Sequence, residues 1–241
     1  RPTAEEARLR HPALFPTQLV ERLIQCFTRS TELRILDPFL GSGSTLVAAQ
    51  NLGRTGIGFE VYPDYVRLAQ SRLQPSPPSE IHLADARELA QLLPPDSVDF
   101  CVTSPPYWDI LTQKRTADYK SVRHYGRARN DLGRISAYEA FLDELGKVFA
   151  GVLEVLRPGR YCVVNVMDLR KRSRFFPLHA DLAARLQALG FLFDDLLIWD
   201  RRQDYNNLRP LGYPAVFRIN KIHEYLLIFQ KPSRAEPPRV P

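Results

Sequence analysis

Short apolar runs alternate with longer amphipathic stretches along most of the chain. Runs of apolar and β-branched residues predict buried strands, and apolar residues spaced three and four apart predict helices with one buried face. The predicted strands cover residues 33–36, 55–59, 81–84, 97–102, 161–166, 191–199 and 222–230. The predicted helices cover residues 16–29, 46–52, 136–156 and 178–189. Strands that alternate with helices predict an α/β fold built on a mostly parallel sheet.

The longest predicted helix, over residues 136–156, has recognisable signals at both ends. Ser136 is followed at capping-box spacing by Glu139, so we expect Ser136 to cap the first turn. The stretch Arg157-Pro158-Gly159 is expected to end the helix, because proline and glycine both disfavour its continuation.

The stretch Thr103-Ser104-Pro105-Pro106-Tyr107-Trp108 follows the fourth predicted strand. Two consecutive prolines cannot donate to a sheet ladder and disfavour helix before them, so the backbone leaves the strand extended. The serine hydroxyl and a carbonyl without a ladder partner can then each accept a hydrogen bond from an exocyclic amino group. The tyrosine offers a flat face on which a base stacks. The alternative interpretation is a proline-terminated loop with a buried aromatic side chain.

Each of the first three predicted strands leads into an acidic residue: Asp37, Glu60 and Asp85. The carboxyl ends of parallel strands meet at one edge of a sheet, where α/β folds hold ligands. A glycine-rich turn follows Asp37, but Leu46 stands where the dinucleotide-binding pattern requires a third glycine. An acid beside this turn disfavours a phosphate and suits an ammonium group, while Glu60 is placed for ribose hydroxyls. The pattern predicts a site for S-adenosylmethionine, although each acid alone is more typical of a cap or turn.

The formal net charge of +6 is concentrated in a few segments. Between residues 110 and 134, seven basic and two acidic residues leave a net charge of +5. Further basic clusters occupy residues 170–174 and 201–218, and each follows a predicted strand. A basic rim with interleaved aromatic residues is typical of a nucleic-acid site that draws one base inward. The alternative is a solvated basic rim without a ligand.

Composition argues against several other classes. The chain has no apolar run of about 18 residues, so no membrane span is predicted. Charged residues occupy the N-terminus where a signal peptide needs an apolar core, so we expect a cytoplasmic, nucleoid-associated protein. Cys26, Cys101 and Cys162 lie in apolar surroundings and are predicted to be buried free thiols. The five histidines lack metal-ligand spacing, so no metal site is predicted.

Taken together, these stretches resemble the SPPY-type amino-methyltransferases, which methylate the exocyclic amino nitrogen of cytosine (N4) or adenine (N6). Residues 11–16 resemble the family's N-terminal cofactor motif, residues 37–45 its methionine-binding loop, and residues 103–108 its catalytic loop. The resemblance assigns cofactor binding to His11, Phe15, Asp37, Phe39, Gly41, Gly43, Ser44, Thr45, Glu60, Asp85 and Ala86. It assigns catalysis to Ser104, Pro105, Pro106 and Tyr107. The implied cofactor is S-adenosyl-L-methionine, released as S-adenosyl-L-homocysteine.

The resemblance also implies a fold and a domain organisation. We expect a single Rossmann-like class I methyltransferase domain over residues 1–241, with a mostly parallel seven-stranded sheet, an antiparallel last strand and helices on both faces. Residues 1–16 are expected to form an arm, residues 109–135 a basic loop and residues 232–241 a tail. No large target-recognition insertion is evident, which leaves open a homodimer or a separate recognition subunit.

The substrate expected from the resemblance is a nucleic acid. In this family a serine at the position of Ser104 is associated mostly with cytosine N4, so cytosine in DNA is favoured, while RNA and adenine N6 stay open. Trp199 and Asp200 are candidates for lining the base pocket, or else a core tryptophan and a turn aspartate. The residues expected to contact nucleic acid are Trp108, Lys114, Arg115, Lys120, Arg123, Arg127, Arg170, Arg172, Arg201 and Tyr213.

Two rival classes are less well supported by the same residues. In a methyltransferase for a protein glutamine amide, the related catalytic loop begins with Asn, and the basic rim would have no role. A non-enzymatic nucleic-acid-binding module would not need the acids or the catalytic loop, yet Asp37, Glu60, Asp85 and Ser104 are all present.

Overall fold

The computed structural model describes residues 15–110, 128, 130–171, 173–202, 210–211, 213–215 and 217–233. Most of the predicted arm, basic loop and tail lies outside these residues. The same is true of seven predicted site residues, namely His11, Lys114, Arg115, Lys120, Arg123, Arg127 and Arg172.

Strands and helices alternate through most of the described chain. The strands are β1 (Arg34–Asp37), β2 (Thr55–Glu60), β3 (Glu80–Leu83), β4 (Val98–Thr103), β5 (Leu156–Val166), β6 (Leu169–Lys171), β7 (Arg174–Phe176), β8 (Leu192–Asp200) and β9 (His223–Gln230). The helices are α1 (Thr17–Phe27), α2 (Ser44–Asn51), α3 (Pro63–Arg72), α4 (Leu89–Leu92), α5 (Tyr138–Val155) and α6 (Leu178–Leu189). Short 3₁₀ turns cover Ala86–Glu88 and Leu132–Arg134.

Seven of these strands form one sheet in the order β3-β2-β1-β4-β5-β9-β8, and β6 pairs with β7 in a separate hairpin. Neighbouring strands from β3 to β5 are parallel. Strand β9 runs antiparallel to both of its neighbours. The predicted mostly parallel sheet with an antiparallel last strand is therefore confirmed. The first strand, β1, lies in the middle of the sheet; the chain then adds β2 and β3 on one side of β1 and places β4 on the other. The order of strands therefore reverses between β1 and β4, which is the point where α/β folds place their ligands.

Helices cover both faces of the sheet because its central strands are apolar on both sides. On one face, Ile35 of β1 and Phe100 of β4 are fully buried against α1 and α2. The next residues along these strands, Leu36 and Cys101, point the opposite way and belong to the core formed by α5 and α6. Burial on both faces is the reason these strands read as short continuous apolar runs.

Helix α5 and strand β5 differ from their predicted bounds. Helix α5 begins at Tyr138 without a side-chain cap, so the predicted capping role of Ser136 is wrong. The Tyr138 hydroxyl donates to Asp181 of α6 over 2.7 Å, which shows that tertiary contacts fix this end. The predicted helix-ending stretch 157–159 lies inside β5, because strand pairing with β4 already begins at Leu156.

The sequence pattern does not predict α3 or the β6–β7 hairpin. Helix α3 is mostly polar, and its buried residues are only Val66 and Ala69, so its apolar periodicity is weak. Strands β6 and β7 have three residues each and carry part of the basic cluster at 170–174. A pair of such short strands is set by its turn and packing rather than by alternation.

Two findings bear on the predictions from composition. Cys101 and Cys162 are buried, as predicted, but Cys26 is exposed on the polar side of α1.

Among the residues described, none of the helices combines the length and the apolar character needed to cross a membrane.

Candidate active site

The ends of β1, β2, β3 and β4 surround one cleft at the carboxyl edge of the sheet. Its wall combines buried acids, a glycine-rich turn, aromatic rings and two prolines. The predicted site residues that line it are Phe15, Asp37, Phe39, Gly41, Ser44, Thr45, Glu60, Asp85, Ala86, Ser104, Pro105, Pro106 and Tyr107. The structure therefore brings the two predicted groups, for cofactor and for catalysis, into a single cavity.

Asp37 is the last residue of β1, and its side chain is almost completely buried. Its carboxylate accepts hydrogen bonds from the hydroxyls of Thr45 and Thr103, each over 2.6 Å, and from the Phe39 backbone N–H over 3.0 Å. Burial raises the pKa of Asp37, although these three donors act in the opposite direction. A cationic group entering the cleft would relieve this burial cost.

Glu60 ends β2 and is held by the backbone around it. Its carboxylate accepts from the N–H groups of Gly41, Val61 and Tyr62, each over 2.9 Å. Burial is the main reason that the pKa of Glu60 is raised to about 7, and the nearby charge of Asp37 adds to the effect. Glu60 therefore changes its charge close to neutral pH.

The glycine-rich turn connects Asp37 to α2 and depends on backbone conformations that favour glycine. Gly43 has a φ of +83° and directly precedes α2. A Cβ atom at this position would come within 2.7 Å of the Cβ atom of Ala69 on α3. Gly43 thus packs against α3, and its contribution to the cleft is to shape the turn rather than to line the wall.

Asp85 follows β3 and caps the short 3₁₀ turn after it. One carboxylate oxygen accepts from the backbone N–H and from Nε of Arg87, each over 3.0 Å. Burial opposes ionisation here, but the hydrogen bonds and charge of Arg87 outweigh it and lower the pKa of Asp85. Arg87 is itself paired with Glu144 of α5, so Asp85 is ionised and fixed in orientation.

The stretch after β4 places a hydroxyl, two prolines and an aromatic ring along the cleft. Ser104 Oγ lies 3.2 Å from the hydroxyl of Tyr107. That hydroxyl donates to Glu224 of β9 over 2.7 Å and accepts from Nδ2 of Asn165 on β5 over 2.7 Å. Because the Tyr107 hydroxyl is anchored away from the cleft, its ring is held in the wall.

Comparison with known families assigns the chain. The model of a family described as DNA methylase matches residues 1–71 and 98–239. The chain belongs to this DNA methylase family.

Individual relatives match the chain over shorter stretches. The type II methyltransferase M.ScaI of Streptomyces caespitosus is 45% identical over 67 residues, which is 28% of this chain and 22% of that protein. The chain thus spans about a quarter of the length of the curated relatives it matches. A structure of TTHA0409 from Thermus thermophilus in complex with S-adenosyl-L-methionine is 34% identical, covers 66% of this chain and 61% of that chain, and has a TM-score of 0.46. TrmN from Thermus thermophilus is 18% identical, covers 89% and 48% of the two chains, and has a TM-score of 0.56, which shows the shared fold.

Two residues predicted to contact nucleic acid have protein partners in this structure. Trp108 is only 6% exposed; its ring packs against Tyr138 and Phe176, and its Nε1 donates to the Ile135 carbonyl over 2.8 Å. Arg201 is nearly buried and forms an ion pair with Glu224. A nucleic-acid contact at either position therefore stays a prediction, and it would require the side chain to leave its partner in the protein.

Other residues of the predicted basic rim face solvent. Arg170 is exposed beside the ring of Phe175, and Tyr213 is 69% exposed. Trp199 is half-buried under the Arg201 guanidinium, and Asp200 is paired with Arg202. Neither Trp199 nor Asp200 is among the residues that line the cleft.

Asn165 and Glu224 contact the stretch that follows β4, although the sequence pattern predicts no role for either residue. Each is a buried polar residue beside an apolar run of its strand, residues 162–164 for Asn165 and residues 225–229 for Glu224. Buried polar groups need partners, so a lone Asn or Glu in such a run is a signal that can identify them. Their partner cannot be read from the sequence, because it depends on β9 pairing next to β5.

Proposed function

We propose that this protein transfers a methyl group from S-adenosyl-L-methionine to the exocyclic amino nitrogen of a flipped-out base, with N4 of cytosine in DNA as the favoured target. The observation that carries the proposal is the single cleft shared by two groups of residues. The buried acids Asp37 and Glu60 line one part of it, and Ser104, Pro105 and Tyr107 line another. A cofactor and a base that bind in this cleft would therefore lie next to each other.

The cofactor is S-adenosyl-L-methionine, which supplies the methyl group. The residues present fit its chemistry. Asp37 offers a buried carboxylate to the ammonium group, Glu60 offers acceptors to the ribose hydroxyls, and Asp85 is placed for the adenine amino group. Phe15 and Phe39 add aromatic surface to the same cleft. Two neighbouring carboxylates would repel a phosphate, which supports a nucleoside cofactor that has none.

The catalytic stretch acts on the amino group of the base. Ser104 Oγ and the Pro105 carbonyl accept its two hydrogens, which draws the nitrogen lone pair out of conjugation with the ring and directs it toward the methyl group. The Tyr107 ring supports the base by stacking, after flipping has cost a few kcal/mol. Catalysis then rests on positioning and electrostatics, so no covalent intermediate with the protein is needed.

DNA is the favoured polymer because the chain belongs to a DNA methylase family. Exposed Arg170 and Tyr213 support a nucleic-acid partner, since a cation and an exposed ring suit phosphate and base contacts. The serine at position 104 supports cytosine N4 over adenine N6, and a homodimer or a recognition subunit is proposed to contribute target choice.

The test is methyl transfer from labelled S-adenosyl-L-methionine to matched pools of duplex DNA, single-stranded DNA and total RNA, followed by digestion and mass spectrometry. We expect N4-methyldeoxycytidine from DNA, and no product from the Ser104→Ala variant. N4-methylcytidine from RNA would move the substrate to RNA, and N6-methyldeoxyadenosine would move it to adenine. If no pool is labelled while the protein binds the cofactor, the proposal is wrong.

A further inference from the structure

Four polar side chains form a continuous hydrogen-bonded row behind the catalytic stretch: Ser104, Tyr107, Asn165 and Glu224. Asn165 lies on β5 opposite Leu226 of β9, so Glu224, two residues before Leu226, points to the same face of the sheet. This register places a carboxylate and an amide directly under the loop that follows β4. The row runs from the cleft wall into the protein interior.

The directions of these hydrogen bonds follow from their chemistry. Glu224 accepts only, so the Tyr107 hydroxyl donates to Glu224 Oε2 over 2.7 Å. Asn165 Nδ2 donates to the same carboxylate oxygen and to the Tyr107 oxygen, each over 2.7 Å. With its own proton committed to Glu224, Tyr107 is the acceptor in its 3.2 Å contact with Ser104. The Ser104 proton therefore points at Tyr107. Asn165 Nδ2 also approaches Ser104 Oγ, at 3.4 Å, which leaves the other lone pair of Oγ for the substrate.

Glu224 and Asn165 are 3% and 2% exposed. A buried carboxylate is costly unless it is paired. Arg201, the residue directly after β8, provides the pairing cation for Glu224. The fold thus maintains an ion pair immediately behind the residue that is proposed to contact the reacting nitrogen. Stability alone does not require it, because apolar residues of similar volume would fill the space at no greater cost.

We propose that Glu224 and Asn165 are positioning residues for methyl transfer, and that Glu224 receives, through Tyr107 and Ser104, the proton that the target nitrogen loses. The inference rests on the proposed function. In this step a nitrogen–carbon bond forms, and the electron pair of the broken sulfur–carbon bond stays on sulfur. The nitrogen gives one proton to Ser104 Oγ. Ser104 passes its own proton to the Tyr107 oxygen, and Tyr107 passes its own to Glu224. The carboxylate becomes a carboxylic acid, which water later deprotonates.

Glu224→Gln and Tyr107→Phe test this row while conserving shape. The matched control is Asp99→Asn, because Asp99 is also a buried carboxylate paired with an arginine, Arg157, but lies outside the cleft. We expect Glu224→Gln to slow single-turnover transfer about 100-fold, within the range of lost general acid–base assistance, with cofactor affinity unchanged. The double variant that carries Glu224→Gln and Tyr107→Phe should transfer methyl groups no more slowly than Tyr107→Phe alone, because both changes break the same row of hydrogen bonds.

A second measurement does not depend on activity. In the cofactor-free protein carrying ¹³C-labelled glutamate, the carboxyl resonance of Glu224 should shift in Tyr107→Phe and stay in place in Asp99→Asn. The inference is overturned if Glu224→Gln transfers methyl groups at the wild-type rate, or if Asp99→Asn slows transfer as much as Glu224→Gln does. It is also overturned if the rate losses of Glu224→Gln and Tyr107→Phe add in the double variant. These results differ from failure of the proposed function, in which the wild-type protein itself transfers no methyl group.

Discussion

Thr103, the last residue of β4, donates its hydroxyl hydrogen to Asp37, the last residue of β1, over 2.6 Å. This bond connects the two strands that flank the topological switch point. It joins the part of the cleft that contains Asp37, where the cofactor is proposed to bind, to the proposed catalytic stretch, which begins directly after Thr103. The geometry of the two halves is therefore coupled through one buried hydroxyl.

Thr103→Val removes this hydroxyl and keeps the shape of the side chain. Asp37 then loses a donor in a buried position, so we expect the free energy of unfolding to fall by about 2 kcal/mol. Urea denaturation at pH 7 measures the loss. The same substitution at half-buried Thr55, at the start of β2, is the control and should cost less than about 1 kcal/mol. Equal losses at both positions would contradict the role assigned to the Thr103–Asp37 bond.

The local sequence pattern predicted much of the fold and many of the residues that line the cleft. The strands near Asp37, Glu60 and Asp85 are short apolar runs ended by polar residues, and parallel pairing brings such ends together without further information. The order of the last two strands is different. Because β9 inserts between β5 and β8, Glu224 reaches Tyr107 from 117 residues away, and no local spacing encodes that contact.

The burial of Trp108 and the ion pair of Arg201 could not be predicted from the sequence, for a related reason. Both residues are adjacent to predicted site segments, and both have side chains that commonly bind nucleic acid, so proximity in sequence favoured a surface role. In the fold, Trp108 turns into the core between Tyr138 and Phe176, and Arg201 turns toward Glu224. Side-chain direction at a strand end is decided by tertiary packing, which single-sequence patterns do not contain.

Cofactor affinity should depend on pH through Glu60. Its pKa of about 7 means that the ionised fraction rises from about a tenth at pH 6 to about nine tenths at pH 8. Since the carboxylate is the better acceptor for ribose hydroxyls, we expect S-adenosyl-L-methionine to bind roughly tenfold more tightly at pH 8 than at pH 6. Calorimetric titration measures this ratio. Glu60→Gln should bind more weakly at pH 8 and lose the dependence; an unchanged slope in that variant would exclude Glu60 as its origin.

The same group should make the cofactor-free protein less stable as the pH rises. The folded protein keeps a proton on Glu60 up to about pH 7, whereas the unfolded chain releases it near the ordinary value of 4.5. Glu60 therefore favours folding fully below pH 4.5, and this contribution disappears as the pH rises to 7, a change on the order of 3 kcal/mol. The difference in unfolding free energy between wild type and Glu60→Gln, measured by urea at several pH values, isolates it. A difference that is constant from pH 5 to pH 8 would contradict the raised pKa.

Gly43→Ala and Gly53→Ala separate backbone conformation from close packing. Both glycines have positive φ, +83° and +70°, so both substitutions carry the cost of a left-handed residue, about 1 kcal/mol. At Gly43 the new Cβ atom would also clash with Ala69 at 2.7 Å, while nothing lies within 4 Å at Gly53. We expect Gly43→Ala to cost about 2 kcal/mol more in unfolding free energy and to weaken cofactor binding as the turn shifts. Equal losses of unfolding free energy in the two variants would show that α3 shifts to accommodate the new Cβ atom without destabilising the protein.

Arg170 and Trp108 should behave in opposite ways when nucleic acid binds. Arg170 is exposed on the β6–β7 hairpin, so Arg170→Ala should weaken binding to duplex DNA and lower the slope of log affinity against log salt by about one unit. Trp108→Phe removes a core contact and the hydrogen bond to Ile135, so it should lower the free energy of unfolding by about 2 kcal/mol and leave DNA affinity unchanged. Fluorescence anisotropy over a salt series, with urea denaturation in parallel, measures both effects. Loss of DNA affinity in a fully folded Trp108→Phe variant would show that Trp108 contributes to DNA binding. An unchanged salt slope in Arg170→Ala would show that Arg170 does not contact a phosphate.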